Sequence, residues 1–165
     1  MNIREITAND AEKFVDLIKQ VEDSSPFMLM EPGERKITVD LQRLAIEQME
    51  KESNSTIFIT EQNGELIGYL IVIGGKAKRT KHTAYLVTGI LENHRGKGVG
   101  TKLFQQLDAW SSDRQIKRIE LTVVTQNEAG LSLYQKMGFE IEGTKRSSLL
   151  INGELLDEYF MSKIK

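Results

Sequence analysis

Two neighbouring stretches decide how this chain is read. Tyr85-Leu86-Val87-Thr88-Gly89-Ile90-Leu91 is followed, after two residues, by His94-Arg95-Gly96-Lys97-Gly98-Val99-Gly100-Thr101. The first has strand length and β-type residues. The second sets three glycines at alternate positions among cations, and from Val99 onward Leu103, Leu107 and Trp110 recur at helical spacing. A strand feeding a glycine-rich turn at a helix N-terminus makes a site for an anion. Glycine lets the backbone turn sharply and approach a ligand, and the first helical N–H groups have no intrahelical partner. Arg95 and Lys97 add positive charge, so a phosphate or pyrophosphate is the natural occupant.

Two familiar phosphate loops do not fit. A Walker loop needs Gly, four residues, then Gly-Lys-Ser/Thr; Leu91 stands at the first glycine's place and Gly98 follows Lys97. A Rossmann fingerprint needs Gly-x-Gly-x-x-Gly, whereas this turn reads Gly96-x-Gly98-x-Gly100, and Glu120, at the distance of a ribose contact, falls inside a strand pattern. A glycine-rich turn also arises where a chain merely bends, with its cations solvated.

Outward from the turn, the pattern alternates between periods. Asn2 to Ile6 reads as a short strand. Asn9 or Asp10 caps a helix carrying Phe14, Leu17, Ile18 and Val21, and Ser24 to Gly33 is a loop holding both prolines. A second helix, about 37 to 52, shows Leu41, Leu44, Ala45 and Met49. Thr56 to Thr60 and Glu65 to Ile73 are strands joined through Asn63-Gly64, a strong hairpin signal. After a basic loop, 74 to 81, the strand at 83 to 91 leads into the helix at 98 to 112, and Arg118 to Val124 is the next strand. Asn127 starts a short helix that Gly138 ends, and a last hairpin, 139 to 150 with 154 to 163, turns at Asn152-Gly153. The order β, α, α, β, β, β, α, β, α, β, β predicts an α+β fold with a mixed sheet. The hairpins run antiparallel, and the crossover through the helix at 98 to 112 joins parallel neighbours.

At 165 residues the chain suits a single domain, 1–165. A hydrophobic content of 39% is enough for a full core, and a net charge of −2 gives no global pull toward nucleic acid or anionic membrane. With no cysteine there is no disulfide, thiolate metal site or cysteine nucleophile, and His82 and His94 sit in no metal-type cluster, so no metal is expected. No window reaches the ~20 apolar residues of a membrane span, and the N-terminus lacks a signal-peptide run; a cytoplasmic location is the default expectation.

A second constellation sharpens the reading: Asn127-Glu-Ala129-Gly-Leu-Ser-Leu133-Tyr134-Gln-Lys-Met137-Gly138-Phe139. With Arg95-Gly96-Lys97-Gly98-Val99-Gly100 it resembles the two signatures of the Gcn5-related N-acetyltransferase superfamily, differing only in the spacing to the Leu-Tyr pair. The resemblance covers nearly the whole chain. It implies the acyl-CoA N-acyltransferase fold, a central, largely antiparallel mixed sheet of six to seven strands flanked by four helices. It also implies acetyl-CoA as co-substrate and transfer to a primary amine, either a small molecule such as a polyamine or amino compound, or a protein N-terminus. Homodimers are common in that superfamily. The competing readings are a catalytically silent acyl-CoA-binding module and a partner-binding protein of the same fold.

By that resemblance, the backbone amides from Arg95 to Thr101 (Gly96, Lys97, Gly98, Val99 and Gly100 between them) hold the CoA pyrophosphate. Ile90 and Leu91 meet the thioester end, with Gly89 read either as a bulge where two strands part or as a packing glycine. Tyr134 is the implied acid for the departing thiolate, and Asn127 contacts the cofactor or caps its helix. Relatives that use a glutamate base carry it eleven residues before the signature arginine, where this chain has Ala84. His82, Tyr85, Glu92 and Glu31 are the other candidates, and none is singled out. The acceptor side is expected from Phe27 to Arg35 and Ser147 to Tyr159, with Phe27, Glu31, Tyr85 and Asp157 as candidate substrate residues. Glu34 and Glu158 there add charge for a cationic amine.

Overall fold

A computed structural model describes residues 1–165. Seven strands form one sheet in the order β1-β2-β3-β4-β5-β7-β6: β1 (Asn2–Glu5), β2 (Thr56–Gln62), β3 (Glu65–Gly74), β4 (Thr83–Ile90), β5 (Arg118–Val124), β6 (Glu140–Ile151) and β7 (Glu154–Ile164). Only β4 and β5 pair in parallel, as the crossover predicts. Both hairpin turns have the expected chemistry: Asn63 and Gly64, and again Asn152 and Gly153, all take positive φ, which a two-residue turn matched to the strand twist requires. No helix is long and apolar enough to cross a membrane.

Helices α1 (Ala11–Ser24) and α2 (Val39–Glu50) cover one face; α3 (Val99–Asp113) and α4 (Glu128–Lys136) cover the other. Each face has its own core, since side chains alternate across the sheet. Phe58 joins Leu103, Phe104 and Leu107 under α3, while its neighbours Ile57 and Ile59 join Phe14, Leu17 and Ile18 under α1. A register shift opposite Thr60 and Glu61 inserts one extra residue in β3. It puts Leu66 and Tyr69, three apart, in the same core under α1.

The structure corrects two expectations and decides between the two readings of Gly89. Neither Asn9 nor Asp10 caps α1 with its side chain; the Asp10 carboxylate instead accepts from the Thr7 amide (2.8 Å) and pairs with Arg4. Thr38 caps α2, accepting from the Leu41 amide at 3.2 Å. That helix buries Gln42 and Ile46, and Leu41 and Leu44 stand 56% and 60% exposed. A rotation of one residue about the helix separates the two stripes, so apolar spacing misplaced Leu41 and Leu44, while Met49 of the expected stripe does pack against the core under α1. Finally, β4 runs in unbroken register with β3 through Tyr69↔Gly89, so Gly89 marks no bulge.

Candidate active site

The sheet opens in its middle. β4 and β5 pair only from Thr83 with Arg118 to Tyr85 with Glu120, and beyond that the two strands separate. The Leu91 amide donates to the Ile67 carbonyl (2.9 Å), which fixes residues 67 and 91, and then 69 and 89, as the hydrogen-bonded pairs with β3. Alternation therefore turns the backbone of Thr88 and Ile90 toward the side that β5 has left. The Ile90 carbonyl is taken by Arg95 Nε at 3.0 Å, whereas its N–H stays open. An unpaired strand edge inside a sheet accommodates an extended, amide-bearing ligand as if it were another strand.

At the C-terminal end of β4 the chain turns into α3. Gly96 and Gly98 adopt φ of +70° and +83°, where a Cβ is disfavoured, and the space beside both is open. The first bond of the helix runs from the Lys102 amide to the Gly98 carbonyl (3.1 Å), leaving the amides of Gly96 through Thr101 without a backbone partner. Those donors and the positive end of the helix suit a diphosphate. Gly100 serves a different purpose: a Cβ there would lie 2.7 Å from Leu133 Cδ2, so its smallness seats α4 against α3. Arg95 reaches across to the Ser24 hydroxyl (3.1 Å), tying the turn to the end of α1.

Tyr134 stands on α4, facing the gap. Its ring packs against Phe104 and Phe139, with centroids 5.7 Å and 6.2 Å away. Burial, with a smaller contribution from Tyr85, pushes its pKa up to about 12, so it is a neutral O–H at ordinary pH. Asn127 caps that helix, its Oδ1 accepting from the Gly130 amide at 3.0 Å. Tyr85 meets the Thr122 hydroxyl at 2.9 Å across the parting strands.

A single cavity of about 1120 Å³ joins these parts. It brings together Phe27, Tyr85, Ile90, Arg95, Gly96, Gly98, Val99, Gly100, Thr101, Asn127 and Tyr134. Leu91, Lys97, Glu31 and Asp157 do not line it. Leu91 gives its amide to β3 and Lys97 is exposed at the turn. Glu31 is exposed in its loop, and Asp157 Oδ1 accepts from the Ser147 amide (2.8 Å), holding the bulge of β6, where Ser147 has φ +49°. Of the four acidic residues expected at the acceptor end, only Glu158 borders the cavity. No group of three or more His, Cys, Asp or Glu side chains gathers to hold a metal.

The structure adds residues with no sequence signal. Tyr69, 1% exposed, lies with its ring over Gly89, where a Cβ would be 2.6 Å from Cε1 and Cζ. Glu22, 3% exposed, accepts from Arg35 Nε (3.0 Å to each oxygen) and Nη2 (2.8 Å), joining α1 to the loop before α2. Both border the cavity. The only hint of Tyr69 was the glycine opposite it, and nothing in the chain pairs positions 22 and 35.

Comparison with known proteins agrees with this geometry. The family model described as acetyltransferase (GNAT) family matches residues 20–139. The L-amino acid N-acetyltransferase AaaT of Escherichia coli (strain K12) is 33% identical over 107 residues, covering 62% of this chain and 64% of that protein. The chain thus spans under two thirds of the length of that curated relative. A GNAT-family acetyltransferase from Streptococcus pneumoniae superposes with a TM-score of 0.95 at 26% identity, over 99% of this chain and 98% of that one. The yncA protein of Salmonella typhimurium, solved with acetyl-CoA, shares the fold at 19% identity (TM-score 0.87; 99% and 92% covered). With seven strands, four helices, the parted β4 and β5 and the amide turn all in place, the chain belongs to the acetyltransferase (GNAT) family.

Proposed function

We propose that this protein transfers the acetyl group of acetyl-CoA to the primary amine of a small molecule by direct attack. One observation carries the reading: a single cavity contains the unpartnered amides at the start of α3, the open edge of β4 and the hydroxyl of Tyr134. The donor set fits CoA. Gly96 to Thr101 offer N–H groups to the diphosphate, and Thr88 and Ile90 offer backbone to the amide-bearing arm. When bound, acetyl-CoA supplies an acyl group activated as a thioester.

The Ile90 N–H donates to the thioester oxygen, where negative charge builds as the amine nitrogen bonds to the carbonyl carbon. As the C–S bond breaks, Tyr134 gives its proton to the sulfur and recovers one from solvent. A thiol of pKa ~8.5 leaves readily, so this acid helps without being indispensable. The amine loses one proton. Ala84 stands where a glutamate base would, and the reading assigns that step to water rather than to a side chain. The name of the Escherichia coli relative, whose acceptors are amino acids, supports an amine acceptor of modest size.

Two measurements test the reading. Titration calorimetry with acetyl-CoA should show saturable binding. Release of free CoA thiol should then depend on an added amine, from a panel of amino acids, polyamines and N-terminal peptides. Binding without amine-dependent release would leave a silent acyl-CoA module, and no binding at all would end the proposal.

A further inference from the structure

Each face of the sheet brings one phenol to the cavity that passes between β4 and β5. Tyr134 belongs to the core under α3 and Tyr69 to the core under α1. The two faces are not equivalent. The amide turn that suits a diphosphate opens α3, so a bound thioester is tethered from the α3 side. Past the gap the cavity continues beneath α1 and α2, among Phe14, Ile18, Val21 and Met49. That is the side left for the amine.

Tyr69 reaches sideways across β4. It pairs with Gly89, and the tip of its ring lies over that glycine: a Cβ at 89 would stand 2.6 Å from Cε1 and Cζ and 2.7 Å from the hydroxyl. A phenol that starts on β3 therefore ends on the strand whose other edge is open. The next residue along that strand, Ile90, carries the open N–H. Glycine at 89 admits the ring, and any side chain there would push the hydroxyl away. That hydroxyl has no hydrogen-bond partner in the protein, yet it is not sealed in. The buried side-chain atoms left without partners are Thr60 Oγ1 and Trp110 Nε1. The polar tip of a tyrosine that is 1% exposed thus opens onto the cavity, where a ligand can satisfy it. Burial, with a smaller contribution from the charge of Glu22, holds this phenol well above its ordinary pKa. It stays an O–H whose oxygen keeps its lone pairs for a donor.

We infer that Tyr69 binds the acceptor: its hydroxyl oxygen accepts a hydrogen bond from the attacking amine and holds the nitrogen on the α1 side of the gap. The lone pair of the amine must point at the carbonyl carbon, so its N–H groups are the part that can be held, and a neutral phenol offers them an acceptor. Such an anchor fixes the approach of the nucleophile without taking its proton, which still leaves to water. Tyr134 serves the sulfur from one face and Tyr69 the nitrogen from the other. This deepens the transferase reading and rests on it.

Tyr69→Phe tests this, because it keeps the ring over Gly89 and removes only the oxygen. The assay is CoA-thiol release with whichever amine of the panel the parent uses best. For that amine kcat/KM should fall about tenfold, the size of one hydrogen bond lost to the reacting group. Acetyl-CoA affinity, read by calorimetry without any amine, should stay at the parent value, and so should the Tm, since neither the cofactor contacts nor the packing changes. An unchanged kcat/KM overturns the inference and leaves the transferase reading intact. A fall accompanied by an equal loss of acetyl-CoA affinity overturns it as well, since the hydroxyl then serves the thioester. A fall accompanied by a lowered Tm also overturns it, since the hydroxyl then serves the packing. Absence of thiol release from the parent with every amine overturns both the inference and the transferase reading.

Discussion

Replacing Gly89 with alanine tests how the two halves of the cavity are coupled. Gly89 is not held at positive φ, so alanine meets no backbone penalty there; in a strand it is even favoured over glycine by about 0.5–1 kcal/mol. The added Cβ, however, would sit 2.6 Å from Tyr69 Cε1 and Cζ and 2.7 Å from its hydroxyl. That ring cannot slide away freely. It is 1% exposed and meets Phe14 edge-on at 5.6 Å. Forcing a methyl into such packing costs about 1–3 kcal/mol. With the strand gain subtracted, a net loss of about 0–2.5 kcal/mol remains, centred near 1 kcal/mol, which is a drop of about 2–4 °C in Tm for a chain of this size. Thermal unfolding reads it directly, and a double-mutant cycle isolates the cause. In a Tyr69→Leu background the Gly89→Ala penalty should shrink by about 1 kcal/mol, because the atom it strikes is gone. A Gly89→Ala protein as stable as the parent, or a penalty undiminished in the Tyr69→Leu background, would refute the reasoning.

The other expectations concern catalysis, the turn, acid stability and α2. Tyr134→Phe keeps the ring among Phe104 and Phe139 and should lower turnover about 10–100-fold, with little change in the apparent acetyl-CoA constant; full turnover would remove Tyr134 from the acid's role. Gly98→Val places a β-branched residue at φ +83° in the mouth of the amide turn and should raise the apparent acetyl-CoA constant about tenfold or more. By contrast, Gly100→Ala pushes on Leu133 and should show chiefly as a lower Tm. Asp10 is held by Arg4 at about 2, against an ordinary 3.8, so its contribution is complete above about pH 4 and is lost as pH falls toward 2. Asp10→Asn should cost about 1 kcal/mol at pH 7 after allowance for the part-exposed Arg4, and chemical denaturation curves of the two proteins should converge near pH 2. Ile46→Ala should destabilise by about 2–5 kcal/mol, while Leu44→Gln should stay within about 0.5 kcal/mol, a contrast that checks which stripe of α2 faces inward.

The order of elements, both Asn-Gly hairpins, the parallel crossover and the amide turn, free from Gly96 to Thr101 but not at Arg95, whose amide the Glu92 carbonyl takes, were legible in the sequence because each rests on local rules. Turn residues, apolar periods of two or three to four, and unpartnered N–H groups at a helix start act within a few positions of one another. The same locality explains what was misread. Leu41 and Leu44 have core spacing, yet which stripe of α2 is buried depends on where α1 and the sheet lie. Asp10 has the composition of a cap, but Arg4 from β1 and the Thr7 amide claim it first. Gly89 was visible, and its reason was not, because Tyr69 comes opposite it only when β3 and β4 pair. What the sequence determined by itself was the fold and the end of the site built from consecutive backbone. The tertiary structure alone decided the far wall of the cavity, where Glu22, Arg35, Tyr69 and Lys145 arrive from α1, a loop, β3 and β6. Charge neutralisation there is a property of distances between remote segments, and no spacing along the chain encodes it.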